Sequence, residues 1–124
     1  METKFNFNSK VATTTEQSER LLALGLKKET ADMCYRTNGM GIYFVTALNP
    51  LHNPCDIPAW SLHRLVSALT NNGIIITFID NIVIVEKHKV FQKSYEFWDD
   101  VYDNICDACE WLIKEGYFNK EYLV

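Results

Sequence analysis

The chain predicts an α+β fold in which three helices pack on a small, mainly antiparallel sheet built from hairpins. Three observations carry that expectation. Two β-branched runs, residues 74–79 and 82–85, are separated only by Asp80-Asn81, residues that tolerate positive φ in a tight turn. Three segments repeat apolar residues at helical spacing between recognisable start and stop signals. Strand-like runs fall in neighbouring pairs rather than alternating with helices, as parallel βαβ units would require.

The elements follow in order. Residues 1–13 are polar apart from Phe5 and Phe7 and a few small apolar residues, and read as a loosely docked arm. In "TTEQSERLLALGL" Thr14 and Gln17 have capping-box spacing and Gly25 supplies a stop, so a helix is expected near 15–24. Residues 33–36 and 42–46 flank Asn38-Gly39-Met40-Gly41 and predict a hairpin. "NPLHNPCDIP" holds all three prolines and predicts a loop rather than a strand. "WSLHRLVSALTNNG" predicts a second helix with Ser61 as N-cap, Trp60 and Leu65 as a hydrophobic staple, and Asn72-Gly73 at its close.

In the central hairpin a two-residue loop sets Ile79 opposite Ile82, Phe78 opposite Val83 and Ile76 opposite Val85. One face then carries Ile76, Phe78, Val83 and Val85. The other carries Ile75, Ile79, Ile82 and Ile84 with Thr77 and Glu86. Neither face is wet, so both need a cover, from helices or from a second copy of the chain. A third strand is expected near 90–95. The last helix, from about 97 to 115 with Gly116 as its stop, places Trp98, Val101, Ile105, Ala108, Cys109 and Leu112 on one face. Asp99, Asp100, Asp103, Asp107, Glu110 and Lys114 occupy the other.

Composition bounds the function. The chain, one domain over residues 1–124, is 48% hydrophobic and 23% charged, ordinary for a globular protein. Its net charge of −4 is a deficit where a general nucleic-acid binder needs a surplus of Lys and Arg. No signal-peptide pattern or membrane-length apolar run is present, so a cytoplasmic chain with no membrane partner and reduced cysteines is expected.

Cys106 and Cys109 have the three-residue spacing of metal knuckles and redox pairs. They lie two or more turns into an acidic helix, where neither the helix dipole nor a cation lowers a thiol pKa. They read as packing. His52, His63 and His88 are scattered, although a His52/Cys55 or Cys34/His63 dyad could assemble in space. No phosphate-cradling, nucleophile-elbow or zinc-protease motif occurs, so no cofactor or metal is expected. The acidic stripe of the last helix reads as a solvated face, and a single stripe falls short of a DNA mimic. Trp111 projects into that polar arc. It either packs under residues 117–124 or meets a partner.

The segments "QSERLLALGLKKETADMCYR", "IPAWSLHRLVSAL" and "ACEWLIKEGYF" resemble, in that order, a family of small uncharacterised proteins of gut anaerobic bacteria and their prophages. The shared words run L-G-L, T-A-D-M, P-A-W-S-L and W-L-(I/L)-x-x-G-Y. The N-terminal arm and central hairpin lie outside the resemblance. It implies a mobile-element or phage context and cytoplasmic residence, and no mechanism. Two functions are therefore expected. The first is a non-catalytic accessory or interaction protein, acting on a protein partner or on itself as a homodimer through the hairpin residues Ile75, Ile79, Ile82 and Ile84 or through Trp111. The alternative is a small enzyme with a site assembled from scattered His, Cys and acidic residues.

Overall fold

The computed structural model describes residues 11–37, 43–47, 56–70, 73–79, 82–96 and 100–124. Its fold is mixed α+β, with helices α1 (Thr15–Ala23), α2 (Leu62–Thr70) and α3 (Val101–Lys114). The strands are β1 (Met33–Thr37), β2 (Tyr43–Thr46), β3 (Ile57–Ala59), β4 (Ile75–Ile79), β5 (Ile82–Lys87) and β6 (Phe91–Glu96). They form two antiparallel three-stranded sheets, ordered β2-β1-β3 and β4-β5-β6, where the sequence suggested one. Short 3₁₀ turns at Lys28–Thr30 and Lys120–Tyr122 complete the described elements.

Helix α1 begins where its cap chemistry dictates. Gln17 N donates to Thr14 Oγ1, and Thr14 N donates back to Gln17 Oε1, so two otherwise orphaned backbone donors are satisfied. It ends at Gly25, whose φ of 103° is open to glycine without a Cβ penalty. Gly25 N reaches Leu22 O and Leu26 N reaches Leu21 O, the paired bonds of a Schellman motif. The same pattern closes α3, where Gly116 N meets Ile113 O and Tyr117 N meets Leu112 O.

Ser61 caps α2 through Oγ, which accepts from Arg64 N. Trp60 and Leu65 are both buried in the same apolar cluster. The segment around the third proline departs from expectation. Residues 57–59 form β3, which pairs with β1 through Met33↔Ala59, Cys34↔Pro58 and Tyr35↔Ile57. β3 is an edge strand, and an edge tolerates a proline whose missing N–H would face outward.

The central hairpin has the expected register, with Ile79↔Ile82, Phe78↔Val83 and Ile76↔Val85. Its turn residues Asp80 and Asn81 lie outside the described residues, as do the 38–41 turn, Asn72, Trp98 and Asp99. β6 is the third strand, and α3 starts at Val101, with Asp100 as its N-cap accepting from Tyr102 N.

The central position belongs to α3, which packs against α1, α2, β5 and β6. The buried cluster joins Leu21, Trp60, Leu65, Leu69, Ile105, Leu112 and others from both halves of the chain. The arm is not loose to residue 13. Thr13 is fully buried: its N–H donates to Trp60 O, its carbonyl accepts from Tyr35 Oη, and its hydroxyl accepts from Trp60 N. No helix among the described residues is long and apolar enough to cross a membrane.

Candidate functional site

The two faces of the β4-β5-β6 sheet differ most at β5, since on β4 Phe78 of the inner face is 45% exposed. On the inner face Val83 and Val85 are 0% exposed, and Phe91 and Tyr95 of β6 continue that face against α3. On the outer face Ile75 is 53% and Ile79 is 51% exposed, with Ile82 and Ile84 half-buried beside them. The outward residues of β6 are Gln92, Ser94 and Glu96, all exposed, so the outer face is apolar at β4 and polar at β6. Among the described residues β4 is also a sheet edge; it carries no charge or proline and exposes Phe78 besides the two isoleucines. Natural edges usually carry one of those protective devices.

Trp111 packs under the C-terminal segment. Its half-buried ring stacks on Tyr117 at 5.8 Å and meets Phe91 edge-on at 4.9 Å. Lys93 Nζ lies 5.2 Å from the ring centroid, within cation–π range. Trp111 is thus engaged within its own chain and separated from the isoleucine surface.

The cysteine pair sits in the core. Burial, with the nearby Asp103, Asp107 and Asp100, pushes the Cys106 thiol up to about 12 against the opposing pull of Arg20. Burial, reinforced by Cys106, pushes Cys109 up as well. Both thiols are free, and neither environment favours a thiolate. Cys34 is fully buried with Sγ 3.8 Å from Arg36 Nη2, while His63 stands exposed on α2. His88 is exposed in the β5–β6 turn. His52 and Cys55 lie outside the described residues. Among the described residues, no group of three His, Cys, Asp or Glu side chains could hold a metal ion.

The acidic face of α3 is not simply solvated, as expected from its composition. It docks α1. Gln17 Nε2 donates to Asp100 at 2.8 Å and to Asp103 at 2.6 Å, which saturates an amide whose oxygen already serves the α1 cap. Arg20 Nη2 reaches Asp107 at 2.6 Å and Glu110 at 2.8 Å. Partial burial opposes the guanidinium charge, but these two carboxylates more than offset it and raise its pKa. Arg36 grips Asp56 bidentately, through Nε at 3.1 Å and Nη2 at 2.7 Å.

The segments 24–26, 30–33 and 58–62 lie at one junction or at its margin. Thr30 Oγ1 accepts from Trp60 Nε1 at 2.9 Å and donates to Lys27 O at 2.6 Å. The Asp32 carboxylate accepts from both Ser61 N and Ser61 Oγ. The L-G-L turn pairs with the chain end, where Val124 N meets Gly25 O and Leu26 bridges Leu123. T-A-D-M and P-A-W-S-L are therefore two sides of one packed junction. Beside that junction opens a cavity of about 440 Å³, lined by Thr30, Arg64, Ser67, Ala68, Thr70 and Tyr122. No local pattern announces it, because its walls come from three separate elements.

Comparison with family models, with curated proteins and with solved structures gives no match.

Proposed function

We propose that this chain is a small, non-catalytic, cytoplasmic interaction protein that works by associating with a second copy of itself. The setting is the mobile-element or phage context that the sequence resemblance implies. One observation carries the reading: Ile75 and Ile79, about half exposed, share an outer sheet face with Ile82 and Ile84 beside an unprotected edge strand. A two-fold axis brings that patch against itself, so a single surface serves both partners. Fully burying an isoleucine contributes about 1.5–3 kcal/mol relative to full exposure. Covering the exposed remainder of four per protomer supplies part of what association costs, and strand pairing along β4 supplies backbone hydrogen bonds besides.

The enzyme alternative has weaker support. The buried thiols are pushed toward the protonated form, and His63 and His88 are exposed on separate elements. Sedimentation velocity at micromolar concentration tests the proposal on wild type and Ile79→Lys. A wild-type dimer that becomes a folded monomer in the variant is expected. A wild-type monomer throughout, or a dimer indifferent to the lysine, would sink the reading.

A further inference from the structure

We propose that the cavity between α2 and the two 3₁₀ turns binds a carboxylate-bearing ligand, with Arg64 as its anchor. The three arginines of the chain have different fates. Arg20 is held by Asp107 and Glu110, and Arg36 by Asp56. Arg64 lines the cavity and pairs with no carboxylate among the described residues. Its Nε donates to the Thr30 carbonyl at 2.6 Å, which fixes the guanidinium against the cavity wall while leaving the terminal Nη groups available.

That wall is itself rigid. Thr30 is buried and clamped by Trp60 Nε1 on one side and the Lys27 carbonyl on the other. Lys27 N is in turn bonded to Tyr122 O, so the turn that carries the Arg64 acceptor is tied to the turn that carries Tyr122. Three residues along α2 from Arg64, Ser67 lines the same cavity, on the neighbouring position of one helix face. Among the described residues the lining also includes Ala68 and Tyr122, an apolar and an aromatic surface beside the cation, and the hydroxyl-bearing Thr70. The neighbouring acids Glu29 and Glu121 are exposed and make no ion pair with Arg64 among the described residues.

The chemistry selects a carboxylate over a phosphate monoester. A planar guanidinium fork matches two carboxylate oxygens, whereas a dianionic phosphate needs more than one cation, and this chain is net negative. The volume lies within the usual range of small-ligand sites. The carboxylate could belong to a free organic acid or to the C-terminus of a peptide. This site is separate from the isoleucine surface, so the proposal stands or falls independently of self-association.

The test is an amide-shift titration of the isotope-labelled full chain with benzoate, with neutral benzamide, and with a short peptide ending in phenylalanine as free acid or as amide. Saturable shifts at Ser67, Ala68 and Thr70 are expected with benzoate or the free-acid peptide, and not with benzamide or the amide. Tighter binding of the peptide than of benzoate assigns the site to a C-terminus, and the reverse order assigns it to a free acid. Arg64→Gln should weaken binding at least about tenfold, and Arg64→Lys should restore only part of it, since an ammonium lacks the fork. Ser67→Leu, which fills the cavity with Arg64 in place, should also abolish binding. Absence of saturable shifts with either carboxylate, or equal binding by Arg64→Gln, would overturn the proposal.

Discussion

The inner and outer faces of the β4-β5 hairpin both carry β-branched apolar residues, yet these meet different fates. Val83 and Val85 point inward and are sealed by the helices, while Ile75 and Ile79, on the adjoining strand, point outward and stay about half exposed. The difference is not hydrophobicity, since isoleucine outranks valine. It is supply. Helices α2 and α3, of nine and fourteen residues, pack on this sheet, and α3 also packs against α1, which lies on β3. A hairpin with apolar residues on both sides and helices packed on one leaves part of that apolar surface exposed, which is the surface the proposed self-association would cover.

That contrast predicts a separation of effects: changes under the inner face should cost stability, and changes on the outer face should cost association. The largest effect is expected at Ile105 of α3, which is fully buried in the same cluster as Val85. Ile105→Ala should lower the unfolding free energy by about 2–5 kcal/mol in urea melts. Subunit exchange at the sheet should be unaffected in the folded fraction. Next is Cys109→Ser. It places a hydroxyl where burial is complete, for a cost of about 1–3 kcal/mol in the same assay. A stabilised Cys109→Ser, or zinc bound stoichiometrically to the purified protein, would show that the pair is more than packing.

A smaller, pH-dependent effect comes from the α1–α3 clamp. Hydrogen bonds from Arg20 and then Lys114 hold the Glu110 carboxyl below its ordinary value. A carboxyl with a depressed folded-state pKa stabilises the fold above the ordinary carboxylate range, and that contribution is lost as pH falls through the folded value. The gap in melting temperature between wild type and Glu110→Gln should therefore narrow between about pH 5 and pH 3, and remain constant at neutral pH. The groups are partly exposed, so the gap is small and shrinks with salt. Smallest of all is the effect of Ile79→Lys on the monomer, within about 0.5 kcal/mol, the usual range for an exposed position.

The parts of this fold that are local were legible in the sequence. The capping box at Thr14 and Gln17, the glycine stops at Gly25 and Gly116, and the register of the central hairpin each depend on residues within a few positions of one another. The missing polar alternation of the hairpin called for a cover on both faces, and in the structure Ile75 and Ile79 stay about half exposed. What escaped was assembled over distance. Arg20 finds Asp107 and Glu110 at separations of 87 and 90 residues, so the acidic stripe looked solvated when read along one helix. Thr13 is fixed by Trp60, 47 residues on, which no local composition reveals. Pro58, taken with Pro50 and Pro54, argued for a loop, and the pairing shows it in an edge strand, where a proline is tolerated. The Arg64 cavity left no signal, since Thr30, Arg64 and Tyr122 belong to three elements.

The central claim, that the outer sheet face is completed by a second copy, is tested most directly by hydrogen–deuterium exchange followed across protein concentration. Backbone amides of β4 should become more protected as concentration rises through the dimerisation range, while those of α1 exchange at a constant rate. In Ile79→Lys the β4 protection should no longer depend on concentration. Concentration-independent exchange along Ile75–Ile79 in a wild type that sediments as a monomer would contradict the account.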